Sequence, residues 1–500
     1  MKNVWRVVWV LCAALLVATA CDGNGTNGGA TPEPQENPIP QLSGIAPVSS
    51  VAHLPAFTLT VTGADFVEGA AIVFNGVEMD TAYVSAGELT CTVLPEDTLL
   101  ASLSAADSVG PAVDSQAVPV RVRNPTPGGG DSQSVDFTVY ANHRFSNPRN
   151  LSQSAGISFH PDVAAAGDGE VCIVWYDDTS GNDEILFRGS IDGGQTWSSA
   201  VNISDNGGIS YSPVIGMGPD GRRHAAWSDT SINNKEVFYS RSTDGGATWR
   251  PFVDMTHNSG RSEESEIAVG SDGTVYLVWA DMTPGNFDIF FVRSVDGGVT
   301  WSAIKNISHN SAGSSWPCIA VNGSGHINVA WNDYTTGVRR VFFSRSVDNG
   351  QTWSQAVNVY NHDDQSGYPS IAVNGQGDIL LACTFSQHNE RSLYFSRSSD
   401  NGGTWSQPVS IAPQSQDPVF PRLAVDGADN INMVWWDQTQ GARGVYFSRS
   451  LDNGVTWSEA MEINNFNVEF PFPRIAVDET GKVYVVWVAA SREVHFSASR

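Results

Sequence analysis

An octet of the form Ser-x-Asp-(Gly/Asn)-Gly-x-Thr-Trp begins at Ser190, Ser242, Ser294, Ser346, Ser398 and Ser450. Successive copies lie 52 residues apart, with no insertion or deletion between them. So constant a spacing means that one supersecondary unit is repeated and packed against copies of itself. A period of about 50 residues holding several short strands points to a β-propeller.

A single repeat shows the unit. Pro317–Val321 reads as an inner strand, His326–Trp331 as a second and Val341–Ser344 as a third. The octet Ser346–Trp353 makes the turn, and Ala356–Val359 is the outer strand. Inner strands start near Pro161, Pro213, Ser265, Pro317, Pro369, Pro421 and Pro473, which makes seven units. The seventh stops after Val494-His495-Phe496-Ser497, one strand short. The missing strand is found before the first unit, where Asn147–Ser152 resembles Ala200–Ser204. The expectation is an all-β chain with a seven-bladed propeller of four-stranded blades over 141–500, closed by that N-terminal strand so that no edge stays open. Six blades is the alternative.

Charge narrows the partners. Lys and Arg number 27 against 53 Asp and Glu, a net charge of −26. Nucleic acid and anionic lipid both need clustered cations, so neither is expected as a partner. Lys2 and Arg6 precede the apolar run Val7–Ala20, which reads as an export signal. It ends in Ala18-Thr19-Ala20-Cys21, which resembles a bacterial lipobox, with Cys21 as the lipidated residue. Residues 1–20 are the expected lipoprotein signal, and 21–38, rich in Gly, Asn and Pro, the expected flexible tether. The expected location is the cell envelope, at the outer membrane or cell surface rather than the periplasmic face of the inner membrane. Cys91, Cys172, Cys318 and Cys383 are scattered and read as small buried hydrophobes. No metal spacing occurs and no cofactor is expected; His257 and His309 read as exposed loop residues.

Residues 39–140 differ from the repeats. Phe57–Gly63 alternates like a half-buried strand, and Ala71–Phe74 leads into an Asn75-Gly76 hairpin signal. The segments LTVTGADFVEGAAIVFNG and VPVRVRNPTPGGGDSQSVDFTV resemble the IPT/TIG family of immunoglobulin-like domains. That resemblance implies a β-sandwich acting as a spacer or binding module.

The octets resemble the Asp box, or BNR repeat, of the sialidase superfamily. The resemblance implies that Asp192, Asp244, Asp296, Asp348, Asp400 and Asp452 are structural and lie on the face opposite the functional site. A second column holds Trp175, Trp227, Trp279, Trp331, Trp435 and Trp487. The two columns take twelve of the sixteen Trp, which marks them as packing residues. Two positions later stand Asp177, Asp229, Asp281, Asp333 and Asp437, which read either as loop caps or as a candidate ring of ligand-binding carboxylates near the channel mouth.

A third column, at the start of the inner strands, varies: Asp162, Val214, Glu266, Cys318, Ser370, Arg422 and Arg474. Scaffold needs are the same in every repeat, so variation here marks function. Arginine forks suit a carboxylate ligand, and Arg422 and Arg474 are the ligand-binding candidates. With Asp162 and Glu266 they are also the catalytic candidates. Arg474-Ile475-Ala476-Val477 is similar to the sialidase segment whose arginine grips a sialic acid carboxylate, and Arg422–Val425 is a weaker copy. A plain Arg474–Asp162 salt bridge across the closing seam is the structural alternative. The other sialidase groups cannot be picked from Arg261, Arg339, Arg391, Arg443, Tyr211, Tyr334, Tyr368, Glu263 and Glu264. The reading is a non-catalytic envelope module binding glycans or cell-envelope proteins. The alternatives are a glycoside hydrolase, exo-sialidase-like or of carboxylate-pair type, and a structural scaffold.

Overall fold

The computed structural model describes residues 36–51, 56–94, 97, 115–140, 145–232, 234–360, 365–387, 390–412, 415, 417–441, 443–464 and 470–499. The expected signal, most of the expected tether and Cys21 lie outside the described residues. The chain divides into an N-terminal unit and a C-terminal unit beginning near residue 139.

The N-terminal unit is all β. One sheet joins Gln41–Ala46, Phe57–Ala64, Glu88–Val93 and Thr81–Ser85 in that order. The other runs Ser49–Val51, Val135–Tyr140, Ser115–Asn124, Ala71–Phe74 and Val77–Glu78, with Gly130–Asp131 paired to Ser115–Asn124. Phe57 of the first sheet stacks on Phe137 of the second, with ring centroids 5.6 Å apart. Leu59, Val61, Ile72, Val120 and Val122 are fully buried. The end of the expected tether is ordered: the Asn37 N–H donates to the Pro127 carbonyl at 2.8 Å.

The C-terminal unit contains seven four-stranded sheets among the described residues. The first joins Ser158–Ala165, Val171–Asp177, Glu184–Ser190 and Val201–Asn202. The inner strands of the next five are Ser210–Met217, Ser262–Val269, Ser314–Val321, Gln365–Val373 and Pro418–Val425. Outer strands are two residues long, shorter than the sequence suggested; Val357–Asn358 stands where Ala356–Val359 was expected. The last sheet takes Arg474–Val477, Val483–Val488 and Val494–Ala498 from the C-terminal end and Arg149–Asn150 from before the first sheet. Repeated four-stranded sheets of this kind are the architecture of a sialidase-like β-propeller.

Each sheet buries both faces against its neighbours. Cys172, Val174 and Phe187 of the first sheet pack with Ile215, Ala225 and Trp227 of the second. Val434 and Phe447 of the sixth meet Val483, Val485 and Trp487 of the seventh. Trp175 of the first packs with Tyr484, Val486 and Phe496 of the seventh, so the ring is closed by packing as well as by strand pairing. The second strand is flanked by a sheet on either side, and therefore carries apolar or small residues nearly throughout.

The octets are turn locks. Asp192 accepts the Thr196 N–H at 2.8 Å and the Thr196 hydroxyl at 2.5 Å, and Ser190 accepts the Gly194 N–H at 2.9 Å. The Thr196 hydrogen bonds hold the Asp192 carboxyl down to about 2. The same bonds recur at Asp244, Asp296, Asp348, Asp400 and Asp452. Strand register places the locks: Ser190 pairs opposite Val171, whereas Asp177 pairs opposite both Ser158 and Glu184. The locks therefore lie at the end of each sheet away from the starts of the inner strands. The four described cysteines are buried and form no disulfide.

Trp331 is fully buried. Trp331→Ala should cost about 3–5 kcal/mol of unfolding free energy, measured by chemical denaturation of the purified protein.

Candidate functional site

Six of the seven inner strands begin with the same irregularity. The register with the second strand slips between Phe159 and Asp162, and again between Tyr211 and Val214, Glu263 and Glu266, Ser315 and Cys318, Gly367 and Ser370, and Val419 and Arg422. A bulge of this kind re-aims side chains. The residue inside each slip has a left-handed backbone: His160, Ser212, Glu264, Trp316, Tyr368 and Phe420, with Phe472 in the seventh sheet. Their φ angles run from 42° to 58°, and none is glycine. Such conformations cost roughly 1–3 kcal/mol each and gather at functional sites.

The slipped residues form two arcs. Trp316, Tyr368, Phe420, Phe472 and His160 come from five consecutive sheets around the closed ring, and their rings touch in sequence. Centroids are 5.8 Å apart for Trp316–Tyr368, 4.5 Å for Tyr368–Phe420, 5.5 Å for Phe420–Phe472 and 4.0 Å for Phe472–His160. Trp436 and Phe470 extend the aromatic surface behind Phe420. Ser212 and Glu264 complete the circle. A cavity of about 60 Å³ lies among these residues and Asp162's neighbours in the inner column, Glu266, Arg422 and Arg474. It has room for a few waters or one small polar group, well below the roughly 300 Å³ of a typical ligand pocket.

Beneath the aromatic arc the charged column meets across the centre. Arg474 Nη1 donates to Glu266 Oε1 at 2.9 Å, 208 residues away. Arg422 Nη2 lies 3.7 Å from the same oxygen, and Arg474 Nε lies 3.7 Å from Asp162 Oδ1. The expected Arg474–Asp162 contact exists, but Glu266 is the nearer partner and is shared by both arginines. Asp162 also accepts the Ile215 N–H at 2.8 Å, which ties the first sheet to the second. Arg422 Nε and Ser265 Oγ, both lining the cavity, are buried with no hydrogen-bond partner among the described residues.

Burial governs the protons here. It pushes Asp162 up to about 6, against the pull of Arg474. It pushes Glu264 up to about 7, although Glu264 Oε2 accepts the Trp316 N–H at 2.6 Å. Burial, then Arg474 and Arg422, hold His160 down to about 4, so its imidazole is neutral at pH 7. Burial and the neighbouring Arg474 lower Arg422 to about 10. For Arg474, burial opposes the charge but Glu266 and Asp162 outweigh it, and its pKa is raised.

Of the two readings of the Asp177 column, the structure shows the loop cap. Asp177 accepts the Ser158 hydroxyl and the Thr179 N–H at 2.6 and 2.9 Å. Asp229 takes the Ser210 hydroxyl, the Asn206 amide and the Trp227 indole, and Asp281 takes Ser262, Asn258 and Trp279. Asp333 takes Ser314, Asn310 and Trp331. These buried carboxylates cap loops and hold the tryptophans in place, rather than forming an open ring. Asp437 keeps the Thr439 N–H at 2.9 Å but lines a separate cleft.

Other sequence candidates lie apart from the cluster. Arg339 stacks on Tyr368 at 4.6 Å, Arg261 pairs with Glu263, Arg391 pairs with Asp417, and Arg443 is exposed. Lys235 sits 4.6 Å over the Tyr211 ring, and Tyr334 is exposed. His257 is an exposed loop residue beside Asp254. No group of three metal-ligating side chains occurs among the described residues. Sequence reasoning placed Glu264 and Tyr368 on the correct face without choosing them, and missed His160, Trp316, Phe420 and Phe472. The overlooked signal was the varied residue two positions before the charged column, followed by proline in six of seven repeats.

The BNR repeat-like domain family matches residues 131–329 and 283–485, most of the chain. The chain belongs to that family. A sialidase from Clostridium perfringens is 28% identical over 231 residues, covering 38% of this chain and 59% of that protein. A sialidase from Bacteroides fragilis (strain YCH46) is 24% identical over 268 residues, covering 45% of this chain and 48% of that protein. The chain thus spans about half the length of these curated relatives. The structure of a Hadza microbial sialidase aligns over 93% of this chain and 97% of that one, at a TM-score of 0.45 and 13% identity. The family match and the repeated four-stranded sheets together are consistent with a sialidase-like β-propeller.

Glu266→Gln leaves two buried guanidinium groups short of a partner and should cost about 3 kcal/mol. The Glu266→Gln/Arg474→Met pair should recover much of that loss in chemical denaturation. Asp162 and Glu264 both hold protons more tightly in the folded chain than in the unfolded one. Their contribution to stability is complete below the unfolded carboxylate range and is lost as pH rises through about 6 for Asp162 and about 7 for Glu264. Thermal melts across this window should show stability falling with rising pH, and Glu264→Gln should flatten the upper part of the slope.

Proposed function

We propose that the protein is a lipid-anchored envelope protein whose seven sheets form a seven-bladed propeller that binds glycans at its channel mouth without turning them over. The observation that carries this reading is the aromatic arc from Trp316 to His160 around a polar floor. The C–H faces of sugar rings stack on aromatic faces, and Glu264 and Ser265 offer polar partners to hydroxyl groups. Kinship with proteins named sialidases supports a glycan as the ligand.

The non-catalytic part of the proposal rests on charge. A sialidase-type site needs arginines available to a ligand carboxylate. Here Arg474 and Arg422 face Glu266 and Asp162, and the cluster is neutralised from within. One observation favours a second reading. Glu264 has its pKa raised to about 7 beside the aromatic arc, which suits a general acid of a carboxylate-pair hydrolase.

The remaining parts follow the sequence. Residues 1–20 act as the lipoprotein signal, Cys21 carries the lipid and 21–38 form the tether. Residues 39–140 form an IPT/TIG-like spacer that presents the propeller, 141–500, away from the membrane. The outer membrane or cell surface is the proposed location.

A glycan array probed with the purified protein should give saturable binding that Phe420→Ala and Trp316→Ala each weaken by about tenfold or more. Fluorogenic sialosides and neutral aryl glycosides should show no turnover above that of Glu264→Gln. Turnover that vanishes in Glu264→Gln would replace the binding reading with the hydrolase.

A further inference from the structure

A second, larger cavity lies away from the mouth, between the outer part of the fifth sheet and the sixth. It measures about 530 Å³, in the range of small-molecule sites. Three aromatic rings line it, Trp435, Tyr446 and Trp457, together with Ile411 and the acids Asp437 and Glu459. Among the described residues, no lysine or arginine does.

The repeat supplies an internal control. In the second sheet the equivalents of Trp435, Tyr446 and Trp457 are Trp227, Phe238 and Trp249. There Phe252 closes the space, with its ring 6.0 Å from Trp227 and 5.1 Å from Phe238. The same position in the sixth sheet is Ala460, which lines the cavity. Trp435 and Tyr446 still stack, at 6.0 Å, and Ala460 brings no ring to the place that Phe252 fills.

The polar partners differ as well. The indoles of Trp227, Trp279 and Trp331 each donate to the aspartate two positions on, at 3.1 Å. Trp435 Nε1 is fully buried and has no acceptor among the described residues. Opposite Asp437 stands Pro418, where Ser210 stands opposite Asp229 and donates its hydroxyl. Proline has no hydroxyl to give. Trp175 and Trp487 also have indoles without acceptors, so an open indole alone marks nothing; here it borders a cavity that a sister sheet fills.

We propose that this cleft is a second binding site, separate from the channel mouth, that takes a neutral sugar unit. The rings of Tyr446 and Trp457 offer stacking faces to the C–H surface of a pyranose over the buried Trp435. Asp437 and Glu459 accept from hydroxyls. Two carboxylates without a cation among the lining residues repel an acidic sugar, the reverse of the arginine-bearing mouth.

The test is isothermal titration of the full chain with lactose, maltose and cellobiose, beside 3′-sialyllactose. At least one neutral disaccharide should bind at roughly millimolar affinity, and Ala460→Phe should weaken it by about tenfold or more. Ala460→Ile, which copies Ile304 at the same place in the third sheet, serves as a second cavity-filling variant and should act in the same direction. Both variants should melt at or above the temperature of the parent, because sister sheets accommodate these side chains. Phe420→Ala at the mouth should leave this binding unchanged, so failure of the mouth reading and failure of this one are distinguishable. The proposal is overturned if none of the three disaccharides binds, if binding survives both well-folded fillings, or if only the sialylated sugar depends on Ala460.

Discussion

Each sheet of the C-terminal unit has two apolar faces and can bury them only against its two neighbours. Everything regular in the chain follows from that constraint. The second strands are flanked on both sides and so carry Val, Ile, Ala and Trp with few breaks. The turns at the far end must return the chain to the same place each time, which the Asp–Thr locks ensure. A single inserted residue in a strand would turn its side chains to the wrong face, and an unvarying period is the record of that intolerance. What remains free to change are the inner-strand starts, which face the central opening, and the outer perimeter, where a neighbour's cover is thin.

The two candidate sites lie in those two permissive places. At the centre, the bulged residues swap identity from repeat to repeat while keeping the same backbone. Four are Trp, Tyr or Phe, and one is an acid whose proton is retained by burial. Below them, Arg474, Arg422, Glu266 and Asp162 join the first, third, sixth and seventh sheets. This cluster acts as a tie across the middle of the ring, joining sheets that are not neighbours. On the perimeter, the difference between Phe252 and Ala460 separates a filled wall from an open one.

Much of this was legible in the sequence, for stated physical reasons. The strand pattern of the repeat around Trp331, the structural role of Asp192 and its copies, and the donation of Arg149–Asn150 to the last sheet all follow from local chemistry repeated at fixed spacing. The choice between loop cap and ligand ring for Asp177 and its copies stayed open in the sequence because their partners lie far along the chain: Ser158 precedes Asp177 by 19 residues, and Asn206 precedes Asp229 by 23. The Arg474–Glu266 pair escaped notice for the same reason, since no local rule joins residues 208 positions apart. The aromatic arc was hidden by a backbone effect. A slip in register brings Trp316 and Phe420 to the mouth, and simple strand alternation does not reveal slips.

The pairing of Arg149–Asn150 with Val494–Ala498 has a consequence for biogenesis. A strand that emerges first must wait for one that emerges more than three hundred residues later. Until then the first and last sheets each present an unfilled edge, and Leu151 has no partner in Val494 or Phe496. The early sheets can form in order of synthesis, but the ring cannot be locked vectorially. Until Val494–Ala498 is made, a nascent chain of this protein is an open spiral with two adhesive ends, and the pairing of that strand with Arg149–Asn150 closes it.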